Sequence, residues 1–292
     1  KPDYNPSSIT KNWDNLIKDK NSPLLNRATD GLYPPGSIFK VIVSAAAYRN
    51  NNIDYKIECT GKVNIDGYQI KDSGKKAHGT VNLEEAFVKS CNSYFVHLGL
   101  RLGPDNLLNE ATKFKFNKPL QNQIKLKGGS FLIKNDNKHI AQQSIGQGDV
   151  LVTPLHAALI ASIIANEGIM IEPYYVDSIL DSNGKILKTF KHRNSEKVID
   201  KSAANKIKSM MVDVVKKGTG KNARIKGIDV AGKTGTAENP HGKPHSWFIG
   251  FAPADKPEIA IAVIIENGGS GSSTAAPIAA KITKKALSSI KH

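Results

Sequence analysis

Up to about residue 215, apolar residues recur mostly at helical spacing. Beyond that point they alternate as strands do, before one last helical stretch. In GLYPPGSIFKVIVSAAAYRNN, Pro34-Pro35-Gly36 interrupts whatever precedes it, Ser37 suits an N-cap, and Ile38, Val41, Ile42 and Ala45 share one helical face. This predicts a buried helix from about Ser37. Residues 53–80, with Gly61, Gly67, Gly74 and Gly79, read as short strands and loops. VNLEEAFVKSCNSYFVHLGLRLG predicts two helical pieces. Asn82 caps the first, with Glu84 and Glu85 in its first turn; the break falls at Ser90-Cys91-Asn92, and the second piece ends at Gly103-Pro104. TPLHAALIASIIANEG predicts an apolar helix with Thr153 as cap and Pro154 at its first position. YYVDSILDSNGKILKTF reads as a hairpin turning at Asn183-Gly184. KSAANKIKSMMVDVVKKGTG is an amphipathic helix capped near Ser202 and stopped at Gly218. IDVAGKTGTAE, SWFIGFAPA and EIAIAVIIENGG are three strand-like runs whose short connections imply antiparallel neighbours, and TAAPIAAKITKKALSSI closes as a helix.

That order is an α+β layout: an antiparallel sheet flanked by helices, with an all-helical subdomain, and no βαβ alternation. We expect a helical lobe over roughly 41–215 and the sheet with its C-terminal helix over 216–292. The 292 residues, 39% hydrophobic and 23% charged, suit a globular chain. No apolar run approaches the ~18 residues that span a bilayer. The start, KPDYNPSSITKNWDN, is polar and reads like the middle of a longer chain.

Lys and Arg outnumber Asp and Glu by 41 to 26, a net charge of +15. Such a surface favours polyanions. The basic residues are scattered lysines without interleaved aromatics, so nucleic acid is not an expected partner. Cys59 and Cys91 do not make a disulfide framework, and the histidines show no metal-binding spacing. His241 and His245 lie in HGKPH, where Gly and Pro prevent a shared helical face, and both read as loop residues. No metal ligand is expected.

The string GIDVAGKTGT is ambiguous. Gly227 through Thr234 fits the phosphate-loop pattern G-x-x-x-x-G-K-[ST]. That loop needs a buried strand before the first Gly and a helix opening at the Lys. Here KNARIK precedes it, and Gly235 and Pro240 follow. The same letters contain Lys-Thr-Gly, found in serine enzymes that acylate themselves.

Two further motifs support the second reading. Ser37 and Lys40 form S-x-x-K, whose i, i+3 spacing puts amine and hydroxyl on one helical face. A desolvated Lys40 can lose its charge and take the serine proton. Ser90 and Asn92 form S-x-N at the helix break. The Ser90 hydroxyl can pass a proton to a leaving amine, and the Asn92 amide can donate to and accept from a peptide bond. Lys233, Thr234 and Thr236 then offer a cationic, donor-rich strand edge for a carboxylate, with Gly235 letting a substrate backbone approach.

With these three motifs in order, the chain resembles the penicillin-binding proteins, and most of all the transpeptidase domain of the monofunctional class B enzymes of elongation and division. The blocks TDGLYPPGSIFKV, HGTVNLEEAFVKSCNSYF, SIGQGDVLVTPLHAALIASIIANEG, VVKKGTG, VAGKTGTAE and WFIGFAPA carry the resemblance from about Lys1 to the last helix. It implies the serine β-lactamase/transpeptidase-like fold. It implies Ser37 as the acylated nucleophile and Lys40 as its base. Ser90 then shuttles the proton, Asn92 holds the substrate amide and Lys233 tunes the site. Thr234 and Thr236 would hold the carboxylate of a D-Ala-D-Ala stem peptide or of a β-lactam. The backbone N–H groups of Ser37 and Thr236 would form an oxyanion hole. No cofactor is implied. A membrane glycosyltransferase and the wall-synthesis complex are implied as partners. The implied location is the extracytoplasmic face of the bacterial membrane, held by an N-terminal anchor and pedestal that precede this segment. Cys91 is expected as a small packed residue inside S-x-N, not as a disulfide partner of Cys59.

Three alternatives share the chemistry. A carboxypeptidase would transfer to water, and a β-lactam sensor would acylate without turnover. A serine β-lactamase would need a base for deacylating water, and residues 104–150 offer only Asp105, Glu110, Asp136 and Asp149. The net charge gives a first expected outcome. Binding to an acidic wall polymer weakens steeply as salt rises; salt-independent binding in a sedimentation assay contradicts it.

Overall fold

The computed structural model describes residues 6–120, 126–190, 195–240 and 242–290. His192, His241 and His292 lie outside them. The helices are α1 (Pro6–Lys18), α2 (Lys40–Arg49), α3 (Leu83–Lys89), α4 (Asn92–Lys113), α5 (Asn137–Ser144), α6 (Pro154–Ala165), α7 (Lys201–Lys216) and α8 (Ala276–Ile290). Short antiparallel pairs link them: β1 (Ile57–Cys59) with β4 (Gly79–Val81), β2 (Lys62–Ile65) with β3 (Tyr68–Lys71), and β5 (Ser130–Phe131) with β6 (Val150–Leu151). β7 (Ile169–Ile171) pairs with β10 (Ser195–Lys197), and β8 (Ser178–Leu180) pairs with β9 (Ile186–Thr189) as the expected hairpin. The main sheet is β11 (Ala231–Ala237), β12 (His245–Ala252) and β13 (Ile259–Ile265), antiparallel in that order.

The sheet is a middle layer. On β12, Trp247, Ile249 and Phe251 enter the main core formed with α2, α4, α6 and α7. The alternate residues Phe248 and Ala252 join a second cluster with Ala276, Ala279 and Leu287 of α8. Period-two alternation with both faces covered explains why SWFIGFA reads as a nearly unbroken apolar run.

Local chemistry sets most helix starts. Asn82 and Glu85 form a reciprocal capping box on α3, and Thr153 caps α6 by accepting the His156 N–H. Three expectations are corrected, and one helix appears that no expectation covered. The polar start contains α1, whose Leu16 alone among its described large apolar residues is buried, while Trp13 and Ile17 stay exposed. Helical structure resumes after Gly103-Pro104, because Gly103 (φ 76°, ψ 168°) kinks the chain and Pro104 restarts it inside α4. The residue at the N-cap of α7 is Asp200 and not Ser202. His245 is the first residue of β12, paired with Ala237, and not a loop residue.

One buried ion pair ties α2 to α4. Arg49 Nε donates to Glu110 Oε2 at 2.5 Å, and Arg49 also donates to the Val198 carbonyl. Glu110 is fully buried, so losing its partner strands a carboxylate away from water. Arg49→Ala is expected to cost about 3 kcal/mol in urea unfolding. A loss below about 1 kcal/mol, the scale of a surface pair, contradicts this.

Candidate active site

The Ser37 turn forms differently from expectation. Gly36–Phe39 is a 3₁₀ turn and α2 begins at Lys40; the residue capping the turn is Pro35, so Ser37 lies inside the turn and is not an N-cap. The Lys40 N–H donates to the Ser37 carbonyl, the bond type that stacks side chains three apart. Ser37 is half-buried and Lys40 fully buried. Gly36 must be glycine: its φ is +55°, and a Cβ there would lie 2.7 Å from the Thr236 carbonyl oxygen. The turn is pinned by Gly36 N–H to the Gly146 carbonyl at 2.9 Å and by the Trp247 indole N–H to the Pro34 carbonyl at 3.0 Å. The first motif therefore abuts the end of the third.

The second motif enters from the junction of α3 and α4. Ser90 sits in the left-handed region (φ 58°, ψ 40°), which turns both its hydroxyl and its carbonyl toward the lysines. Lys40 Nζ donates to the Ser90 carbonyl at 2.8 Å, to Asn92 Oδ1 at 2.7 Å and, more weakly, to Ser90 Oγ at 3.4 Å. Lys233 Nζ donates to Ser90 Oγ at 2.8 Å and to the Thr234 carbonyl at 3.2 Å. Ser90 Oγ thus accepts from both amines, which leaves its O–H to donate outward. Asn92 is more constrained than expected. Its Oδ1 takes Lys40 and its Nδ2 donates to the Lys71 carbonyl at 2.8 Å, leaving one N–H for a ligand.

β11 supplies the third wall. Its only strand neighbour among the described residues is β12, and only Thr236 along it is exposed. Alternation puts Lys233 and Gly235 on the face toward the helical core and Thr234 and Thr236 on the opposite face. Thr236 is exposed and accepts the Gly271 N–H at 3.2 Å, so its own O–H remains free to donate. Thr234 is nearly buried and shares a 2.6 Å hydrogen bond with Thr219.

The electrostatics follow from burial. Desolvation pulls Lys40 from 10.5 down to about 8, partly offset by Cys91 and Asp72. Desolvation, then the charge of Lys40, holds Lys233 well below the ordinary lysine value. Each ammonium also faces an aromatic ring, Lys40 over Phe95 at 5.2 Å and Lys233 over Phe87 at 5.6 Å. This arrangement can hold a proton on a nitrogen at modest cost and release it to a neighbouring hydroxyl.

Sequence reasoning missed the supports. Asp72 is buried and accepts the Asn92 backbone N–H and the Ser93 hydroxyl. Glu266 accepts from Arg27 and from the Tyr33 hydroxyl, clamping the segment before the turn. Thr219 anchors Thr234. These residues lie far along the chain from what they support, and no local motif marks them. Of the acids considered for a deacylating water, Glu110 is occupied by Arg49 and Asp136 by the N-terminus of α5.

The S-x-x-K turn, the S-x-N junction and the Lys-Thr-Gly strand thus meet between the helices and the antiparallel sheet. The sequence matches the penicillin binding protein transpeptidase domain over residues 1–284, and the chain belongs to that family. It is 37% identical to the peptidoglycan D,D-transpeptidase PbpA of Mycobacterium tuberculosis, over 97% of this chain and 61% of that protein. It is 31% identical to the peptidoglycan D,D-transpeptidase MrdA of Acinetobacter baumannii, over 94% of this chain and 46% of that protein. Penicillin-binding protein A of M. tuberculosis, solved as a ceftriaxone acyl-enzyme, superposes with a TM-score of 0.90 at 36% identity, covering 97% of this chain and 67% of that one. The D,D-transpeptidase domain of an Eggerthella lenta peptidoglycan glycosyltransferase superposes at 0.88, with 30% identity, covering 97% of this chain and 71% of that one. The chain thus spans roughly half to two thirds of these curated relatives and solved chains.

Two outcomes are expected. With Lys40 as base, only its neutral form works, so the acylation rate rises with pH through about 8 and then levels. A flat profile from pH 6 to 10, measured with a chromogenic β-lactam, contradicts it. Gly36→Ala displaces the turn against Thr236 and is expected to slow acylation by about 100-fold; an unchanged rate contradicts the tight approach.

Proposed function

We propose that this chain is the catalytic domain of an acyl-serine D,D-transpeptidase that cross-links peptidoglycan stem peptides and is acylated by β-lactams. The observation that carries the proposal is the meeting of Lys40, Ser90, Asn92 and Lys233, from three separate motifs, in one buried network beside the Ser37 turn.

Ser37 Oγ attacks the carbonyl of the D-Ala-D-Ala bond while neutral Lys40 takes its proton. The developing oxyanion is held by the backbone N–H groups of Ser37 and Thr236. The bond to the terminal D-Ala breaks, and Ser90, fed by the lysines, delivers a proton to the leaving nitrogen. The D-Ala carboxylate lies against Thr236 and Thr234, and the remaining Asn92 N–H holds the stem-peptide amide. An amine from a neighbouring strand then attacks the ester, its proton returning through the same groups, and Ser37 is regenerated. A β-lactam enters the first half-reaction only, because its leaving nitrogen stays tethered. Lys233 donates to Ser90 Oγ and so orients that hydroxyl, without itself taking the serine proton.

The extracytoplasmic membrane face is where such a substrate is met. No helix among the described residues is long and apolar enough to cross a bilayer. A membrane glycosyltransferase within the wall-synthesis complex is the expected partner, since cross-linking needs freshly polymerised glycan.

Intact-protein mass after benzylpenicillin, followed over hours, tests the proposal. A stable gain of one drug is expected in the parent and none in Ser37→Ala. A gain that vanishes within seconds while drug is consumed indicates a β-lactamase, and an equal gain in Ser37→Ala removes Ser37 as nucleophile.

A further inference from the structure

A cavity of about 550 Å³ lies where the C-terminal end of α2 and the N-terminal end of α3 meet α7. That volume is ordinary for a small-molecule site. None of Ser37, Lys40, Ser90, Asn92 and Lys233 lines it, so it is separate from the acyl-transfer cluster. Tyr48, from the last turn of α2, and Tyr55, from the loop before β1, form its apolar walls, both half-buried against the main core. The rim carries both signs of charge: Asp54 and Glu84 bring carboxylates, and Lys56 and Lys206 bring ammonium groups. All four are exposed, and among the described residues none of them joins an ion pair. Glu84 faces Tyr48: burial, and then the Glu84 charge, push the Tyr48 hydroxyl up to about 12.

We propose that this cavity is a second binding site, for a short free peptide. Its ammonium meets Glu84 and Asp54, its carboxylate meets Lys206 and Lys56, and its apolar side chain lies between Tyr48 and Tyr55. The rim decides the ligand class. Opposite charges that ring one cavity without pairing across it suit a ligand that carries both signs. A ligand of one sign meets repulsion from half the rim. The two tyrosines supply rigid contact area for an apolar side chain.

The cavity is placed to act on the catalytic groups. Tyr48 lies about 12 Å along α2 from Lys40, and Glu84 about 9 Å along α3 from Ser90, at the helical rise of about 1.5 Å per residue. Tyr55 is tied to the first turn of α4, because its carbonyl accepts the Tyr94 hydroxyl at 3.2 Å and the two rings lie 5.9 Å apart. The Tyr94 N–H in turn donates to Cys91 Sγ, inside S-x-N. α7 carries Lys206 and runs on to Thr219, which holds Thr234. A peptide bridging Glu84 and Lys206 braces α2, α3 and α7 at one end and favours the arrangement that holds Lys40 on the Ser90 carbonyl at the other. Binding stands on the cavity alone, whereas the effect on acylation rests on the acyl-serine proposal.

The test is calorimetric titration of the full chain with the dipeptide alanyl-phenylalanine, with its N-acetylated, C-amidated form as control. One free dipeptide is expected to bind per chain, and the capped form at least about tenfold more weakly, since it lacks both charges. Glu84→Gln and Lys206→Gln are surface changes that leave the fold intact. Each is expected to weaken binding about tenfold. No saturable binding up to about 10 mM, equal binding of the capped form, or unchanged binding in both variants overturns the site. A second arm follows acylation by benzylpenicillin. Saturating dipeptide is expected to speed it at least about fivefold. Lys206→Gln is expected to lose that gain while keeping the rate without dipeptide. Dipeptide bound with the acylation rate unchanged overturns the coupling. No acylation with or without dipeptide overturns the acyl-serine reading and leaves the peptide site standing.

Discussion

Two lysine side chains lie wholly out of water against a single hydroxyl, and the rest of the site is arranged around that constraint. Lys40 and Lys233 are both fully buried, and both amines donate to Ser90 Oγ. Two ammonium charges at such separation in a poorly solvated interior repel strongly, so one at least must shed its proton at modest pH. The fold reduces the cost with acceptors and not with carboxylates. Lys40 finds the Ser90 carbonyl and Asn92 Oδ1, Lys233 finds the Thr234 carbonyl, and each faces an aromatic ring. A carboxylate there would have restored the charge.

Keeping those acceptors in place is demanding, because they belong to a strained junction. Ser90 holds a left-handed conformation between two helices, and Asn92 uses its amide oxygen and one N–H internally. The restraint comes from behind, through Asp72, and from the sides, through Phe87 and Phe95. The opposite wall is equally fixed. Gly36, Gly146 and Gly235 allow the Ser37 turn, the loop at residues 145–148 and β11 to touch backbone to backbone. A site built from three segments can stay within hydrogen-bond tolerance only when each has such a support.

What the sequence discloses here depends on distance along the chain. S-x-x-K, S-x-N and K-T-G are each complete within a few residues, and flanking apolar runs place them on a helix start, a helix break and a strand. The sheet order followed from short connections, and the α3 and α6 caps from Asn82 and Thr153. The 3₁₀ form of the Ser37 turn was not legible, because contact with Thr236 and Gly146 fixes it rather than local propensity. Nor was α1, a helix that leaves Trp13 and Ile17 exposed and so lacks a clean buried face. Asp72, Thr219 and Glu266 escaped because each meets its partner only through the tertiary fold.

The direct test is the titration of the two lysines themselves, by NMR of protein carrying carbon-13 at the lysine ε position, with Lys40→Arg and Lys233→Arg giving the assignments. The account predicts that Lys40 titrates near pH 8 and that Lys233 stays neutral well below the usual lysine range. Two resonances that both titrate near pH 10.5, with the other lysines, would mean that both amines are charged at neutral pH, and the proton-transfer scheme built on Lys40 would fall.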